Sequence, residues 1–111
     1  MVDTTNAEHY NWGDHCDGWH LLKSTTLSVI QESMPPGTSE ARHVHTRSVQ
    51  FFFVLSGKAT IELNGTRHTV QDQQGLAIPS GIPHQVFNES NSNPEKMVPC
   101  VFVQWMPSGE V

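Results

Sequence analysis

The chain has 111 residues, a net charge of −5 with its histidines neutral, and two cysteines. That length fits one domain with one modest core, and an acidic balance without a basic patch argues against nucleic acid as a partner. Cys16 and Cys100 are too few for a disulfide scaffold and read as reduced thiols.

No apolar run is long enough to cross a bilayer, so no membrane partner is expected. The first ten residues lack the basic start and apolar stretch of a signal peptide, and a cytoplasmic location is the expectation. Residues 1 to 11 are polar and read as loose. Residues 12 to 20 are dense in aromatic, small and ligand-type side chains: Trp12, His15, Cys16, Trp19 and His20. The tryptophans read first as packing that plugs one end of a barrel, and second as a wall over a pocket mouth. A second metal site from Cys16 with His15 or His20 is a weaker reading. Adjacent strand residues point apart, and no Cys-x-x-Cys spacing supports it.

From Leu21 the chain is punctuated regularly. Leu27 to Ser33 reads as a strand, and Pro35-Pro36-Gly37 turns it. Ala41 to His45 reads as a short strand, and Val49 to Ser56 as the next. Lys58 to Leu63 and Thr66 to Val70 flank Asn64-Gly65, a type I′ hairpin signal. Gly75 to Ile78, His84 to Asn88 and Val98 to Trp105 complete the set. Glu89 to Glu95 reads as a polar loop, and the tail from Pro107 as loose. No segment keeps a helical period over three turns. Many short strands separated by turn signals indicate an all-β sandwich or barrel.

His43 and His45 stand one residue apart, so on a strand their imidazoles share a face and are able to grip one ion. His84 lies far downstream, in I-P-S-G-I-P-H-Q-V-F-N. Gly37, His43, His45, Gln50 and Gly57 resemble the first motif of the cupin superfamily in type and spacing. Pro79, Gly81, His84 and Asn88 resemble the second. The resemblance implies a double-stranded β-helix, the jelly-roll barrel, as a single domain over 1–111. Residues 1–18 would form an N-terminal extension packed on or over that barrel. It also implies one divalent metal ion, iron, nickel, manganese or zinc, held by His43, His45, Gln50 and His84. Two departures stand out. Gly75 sits closer to the proline than the glycine that opens the second motif, and Gln50 replaces the usual glutamate.

The glutamine alters the chemistry. Three imidazoles and an amide leave the ion's double charge without an offset. Affinity should fall, and the ion should be a stronger Lewis acid; a three-histidine zinc site brings bound water to a pKa of about 7. An anionic small molecule would then supply the missing charge. Alternatively Gln50 stays off the metal and hydrogen-bonds a ligand histidine or a bound water.

Strand parity extends the picture. With Gln50 facing in, Phe52 and Val54 face in too, while Phe51, Phe53 and Leu55 face out. Three large apolar groups outside call for a cover, either the N-terminal segment or a second subunit. Cupins of this size are commonly homodimers, so a homodimer is expected. Trp19, Phe52, Val54, Val86 and Asn88 are the candidate pocket residues. Arg42 and Arg47 would meet an anion at the barrel mouth, but with Glu40 they read first as solvated surface. The leading expectation is a metal-dependent enzyme on a small molecule, of dioxygenase type. A non-catalytic binding or sensing module is the first alternative. A sugar isomerase or epimerase is the second, and it needs a general acid–base group near the metal. Tyr10 and His20 are the only visible candidates for that group, and Tyr10 falls in the polar N-terminus. A DNA-binding regulator is set aside, because the chain has no room for a helix-turn-helix.

Overall fold

A computed structural model describes residues 1–13, 15–42, 44, 49–89 and 99–107. Among them there is no helix, and the strands are β1 (Glu8–Trp12), β2 (Cys16–Lys23), β3 (Leu27–Met34), β4 (Gln50–Ser56), β5 (Lys58–Leu63), β6 (Thr66–Gln71), β7 (Gly75–Ile78), β8 (His84–Phe87) and β9 (Cys100–Pro107). All pair antiparallel, in a six-stranded sheet of order β1-β2-β3-β9-β4-β7 and a three-stranded sheet of order β6-β5-β8. The fold is an all-β jelly roll, two sheets closed over one core.

Alternation places that core. Met34, Phe52, Val54 and Phe102 face inward from the larger sheet, and Ala59, Ile61, Val70 and Val86 from the smaller. Phe52 and Phe102 meet with ring centroids 5.2 Å apart. Burying such side chains is the main stabilising term, about 1.5–3 kcal/mol for each large apolar group. Cys16 and Cys100 are buried in the same core and unbridged. Burial, with Asp72 nearby, pushes the Cys100 thiol up to about 12. The Asn64-Gly65 hairpin has φ of 47° and 88° at its two central residues, the left-handed pair a type I′ turn needs.

Two expectations change. Residues 8 to 12 are not loose: Glu8–Trp12 is an edge strand, registered on β2 from Glu8↔His20 to Trp12↔Cys16. An edge strand needs apolar cover on one face only, so E-H-Y-N-W suffices with Tyr10 and Trp12 turned in. The strand expected over Ala41 to His45 is not seen in its described part, since Ala41, Arg42 and Val44 lie in no strand. His43 and His45 lie outside the described residues, as do Arg47, Val98 and the tail from residue 108.

Candidate functional site

His84 and Gln50 open strands on facing sheets. His84 starts β8 opposite Leu63 and in phase with Val86, and only 1% of its surface is exposed. Its Nδ1 lies 3.1 Å from the Ile82 carbonyl oxygen. A carbonyl only accepts, so Nδ1 carries the hydrogen and Nε2 keeps its lone pair, the tautomer a metal ligand needs. Gln50 starts β4 opposite Ile78 and is also 1% exposed. Its Oε1 is buried and accepts no hydrogen bond among the described residues.

Behind Gln50 runs a buried polar chain. Gln50 Nε2 donates to Gln104 Oε1, and Gln104 Nε2 donates to Glu32 Oε1. Sheet register builds this chain. Gln104 on β9 lies opposite Phe52 and Ile30, and Glu32 on β3 lies opposite Phe102 and Gly18, so all share the inward face. Glu32 is 4% exposed, and burial, with Glu40 nearby, pushes its carboxyl up to about 8.

Three more polar groups join Glu32. Tyr10 lies opposite Gly18, and a Cβ added to Gly18 would stand 2.2 Å from the tyrosine ring. Only glycine there lets the ring cross β2 toward Glu32. Tyr10 also packs on His20, with ring centroids 5.0 Å apart, and His20 Nδ1 is buried with no hydrogen-bond partner among the described residues. Burial raises the Tyr10 phenol, and Glu32 and Glu40 raise it further. Glu40 is delivered by backbone pairing along β8. Asn88 N donates to Thr38 O at 2.8 Å, Glu40 N to Val86 O at 3.0 Å, and Gln85 Nε2 to Glu40 O at 2.7 Å. Burial pushes the Glu40 carboxyl up to about 8 as well.

Several sequence expectations land elsewhere. Glu40 is no surface carboxylate: it is partly buried and coupled to Glu32. Trp19 does not face the interior. It is out of phase with buried Cys16 and Gly18, and its ring packs on His9 at 5.4 Å. Phe52, Val54 and Val86 face inward but are packed into the apolar core. Asn88 is buried as a tie, its Nδ2 donating to the Met34 carbonyl at 2.8 Å. Arg42 pairs with Glu62 at 3.4 Å on the surface. His15 is exposed at the β1–β2 turn while Cys16 is buried, so the two do not share a site.

Glu32, Gln104 and Glu40 are the polar groups that sequence reading missed. The available signal was parity: Glu32 stands two residues from Ile30 and from Met34, on one strand face. Among the described residues, no three His, Cys, Asp or Glu side chains gather as a metal site. Of the four expected donors, two lie outside those residues and one is an amide. The two that are described suit a divalent cation: an imidazole with Nε2 left bare of hydrogen, and a buried carbonyl oxygen.

The model of the cupin-domain family matches residues 30–101. The HTH-type transcriptional regulator PuuR of Escherichia coli is 32% identical over 65 residues, 59% of this chain and 35% of PuuR. The chain therefore spans about a third of that relative's length. A predicted oxalate decarboxylase of Thermotoga maritima superposes with a TM-score of 0.81 at 18% identity, covering 96% of this chain and 97% of that one. The polyketide cyclase RemF of Streptomyces resistomycificus superposes with a TM-score of 0.80 at 18% identity, covering 99% and 80%. Proteins with such different descriptions on one fold show that the barrel alone does not set the chemistry. With the family match over most of its length, the chain belongs to the cupin-domain family.

Proposed function

We propose that this cupin is a metal-dependent enzyme that moves a proton on a small, anionic carbonyl compound. The carrying observation is the group of Tyr10, His20, Glu32 and Glu40 on the inner wall, joined to Gln50 through Gln104. Two carboxyls pushed up to about 8 are near the pH at which they work, which is what a general acid–base pair requires. The dioxygenase expectation has no such observation behind it. An isomerase or epimerase needs a general acid–base group near the metal, and Glu32 and Glu40 join Tyr10 and His20 as candidates for it.

In this reading His43, His45, Gln50 and His84 hold one divalent ion, which when bound offsets negative charge on the substrate's oxygen. Glu40, in its ionised form, takes the proton from a carbon beside the carbonyl. The C–H bonding pair moves toward the carbonyl oxygen and leaves an enolate. Protonated Glu32, or Tyr10 behind it, returns a proton at a different atom, which completes an isomerisation. We also propose a homodimer through the outer face of the larger sheet. The N-terminal segment is used as β1 and β2, so it does not cover Phe51 and Trp105 there.

The test is hydrogen–deuterium exchange by NMR in heavy water. Metal-loaded full chain is given small 2-keto acids, 3-keto acids and ketose phosphates, beside metal-free protein and a Glu40→Gln variant. The expected result is exchange beside one carbonyl, faster than in both controls, with no oxygen uptake. Oxygen uptake without exchange would return the dioxygenase reading. Tight binding with neither would leave a binding module.

A further inference from the structure

The order of donors and acceptors in the buried chain has a consequence for Gln50. An amide is ambiguous: rotated by half a turn, it exchanges an acceptor for a donor. A cation ligand must present the oxygen. Gln50 cannot settle this alone, since nothing among the described residues donates to its Oε1. The choice is made at the far end. Glu32 Oε1 accepts from Gln104 Nε2, which turns Gln104 Oε1 toward Gln50. That oxygen takes the Gln50 Nε2 hydrogen, and the Gln50 oxygen is left on the opposite side. A carboxylate is an acceptor only, and a carboxylic acid still keeps one accepting oxygen. An ionised Glu32 fixes the direction outright, and the chain seen here runs from Gln50 through Gln104 to the accepting Glu32 Oε1. All three side chains are buried, Glu32 at 4%, Gln104 at 8% and Gln50 at 1% exposure. Water does not compete for the donors, and reversing one amide would set two like groups against each other in low dielectric.

We propose that Glu32 and Gln104 are positioning residues that fix the rotation of the Gln50 amide, so that its oxygen and not its nitrogen is offered to the cation. The proposal rests on the metal reading above. It also explains how a glutamine serves where a glutamate is usual. A carboxylate has two equivalent oxygens and needs no orientation; an amide needs a chain that selects its oxygen.

The test is cobalt(II) affinity of the full chain, by titration of the visible absorption of the bound ion. Variants are made in two backgrounds, the native Gln50 and Gln50→Glu. With Gln50 in place, Gln104→Met and Glu32→Met should each weaken cobalt binding by about 10-fold or more, the usual loss for a group that orients a ligand. Glu32→Gln keeps an accepting oxygen but adds a competing amide donor, so it should weaken cobalt binding less than Glu32→Met does. In the Gln50→Glu background the Gln104→Met loss should vanish, because nothing is left to orient. Apo-protein melting curves identify any variant that fails to fold, and Glu32→Met and Gln104→Met stand in for each other. Equal losses in both backgrounds, or no loss with Gln50, would overturn the proposal and leave the metal reading standing. A native chain that takes up no cobalt would overturn both.

Discussion

The two sheets treat their faces in opposite ways. In the smaller sheet β5 and β8 alternate regularly, while β6 buries only Val70. Ala59, Ile61, Val70 and Val86 point in, while Lys58, Thr60, Glu62, Arg67 and Thr69 point out. The larger sheet breaks this order on both sides. Its inner face buries Glu32, Gln50 and Gln104 among Met34, Phe52 and Phe102. Its outer face exposes Phe51 at 39% and Trp105 at 36%, with ring centroids 5.6 Å apart. Burying polar groups costs free energy unless each is bonded, and exposing aromatic groups forgoes burial. A sheet that does both is shaped by something besides folding. The smaller sheet closes the core and supplies His84; the larger one carries buried polar groups inside and exposed aromatic groups outside.

The largest expected effect separates the two faces of the larger sheet. Phe102→Ala opens a cavity beside Phe52 and should cost about 3–5 kcal/mol in urea denaturation. Phe51→Ser, on the outer face, should cost the monomer only about 1 kcal/mol. It should, however, shift the protein from dimer to monomer in sedimentation velocity. A native chain that sediments as a monomer would remove the docking role from that face. Equal losses from the two substitutions would remove the distinction between them.

The buried carboxyls set the next effect. Glu32 and Glu40 hold their protons to about 8 in the folded chain, against an ordinary carboxyl value of 4.5. Between those values the folded state binds more protons than the unfolded state. Stability should therefore fall as pH rises from 5 to 8 and level off above, opposite to a salt-bridged carboxylate. The drop in metal-free protein should be a few kcal/mol, and Glu32→Gln should flatten much of it. Chemical denaturation at several pH values measures this. A native chain whose stability rises over that window would mean that the carboxyls are ionised and paired.

The same contrast explains what the sequence reveals. From Leu27 on, turn chemistry and alternation expose most strands, because proline, glycine and Asn64-Gly65 mark the ends by backbone preference alone. The β1–β2 hairpin is hidden because an edge strand with one covered face carries little apolar signal. Gln50 and His84 are legible through motif spacing. Glu32 and Gln104 are not. Gln104 stands between Val103 and Trp105, which face the other way, and shares its own face with Phe102 two residues away. When both faces of a strand are apolar, alternation no longer says which side is inside. Glu40 is hidden for another reason. Its burial comes from backbone bonds to β8, 46 residues downstream at Val86, which no local pattern records.

The smallest effect belongs to the outer face of the smaller sheet, and it sharpens the comparison from the other side. Arg67 lies over the Phe87 ring at 4.9 Å and pairs with Glu89, both partners being about half exposed. Exposed cation–π contacts and surface ion pairs are each worth about 1 kcal/mol or less. Glu89→Gln removes the ion pair alone, and Arg67→Met removes both interactions while keeping an apolar stem over the ring. The first should cost a few tenths of a kcal/mol and vanish in high salt. The second should cost somewhat more and retain part of its cost in salt, since contact with a ring face is screened less. Neither should change the sedimentation of the chain. If Arg67→Met did shift the oligomer, the docking surface would lie on the regular sheet, and the exposed aromatic pair on the larger sheet would need another explanation.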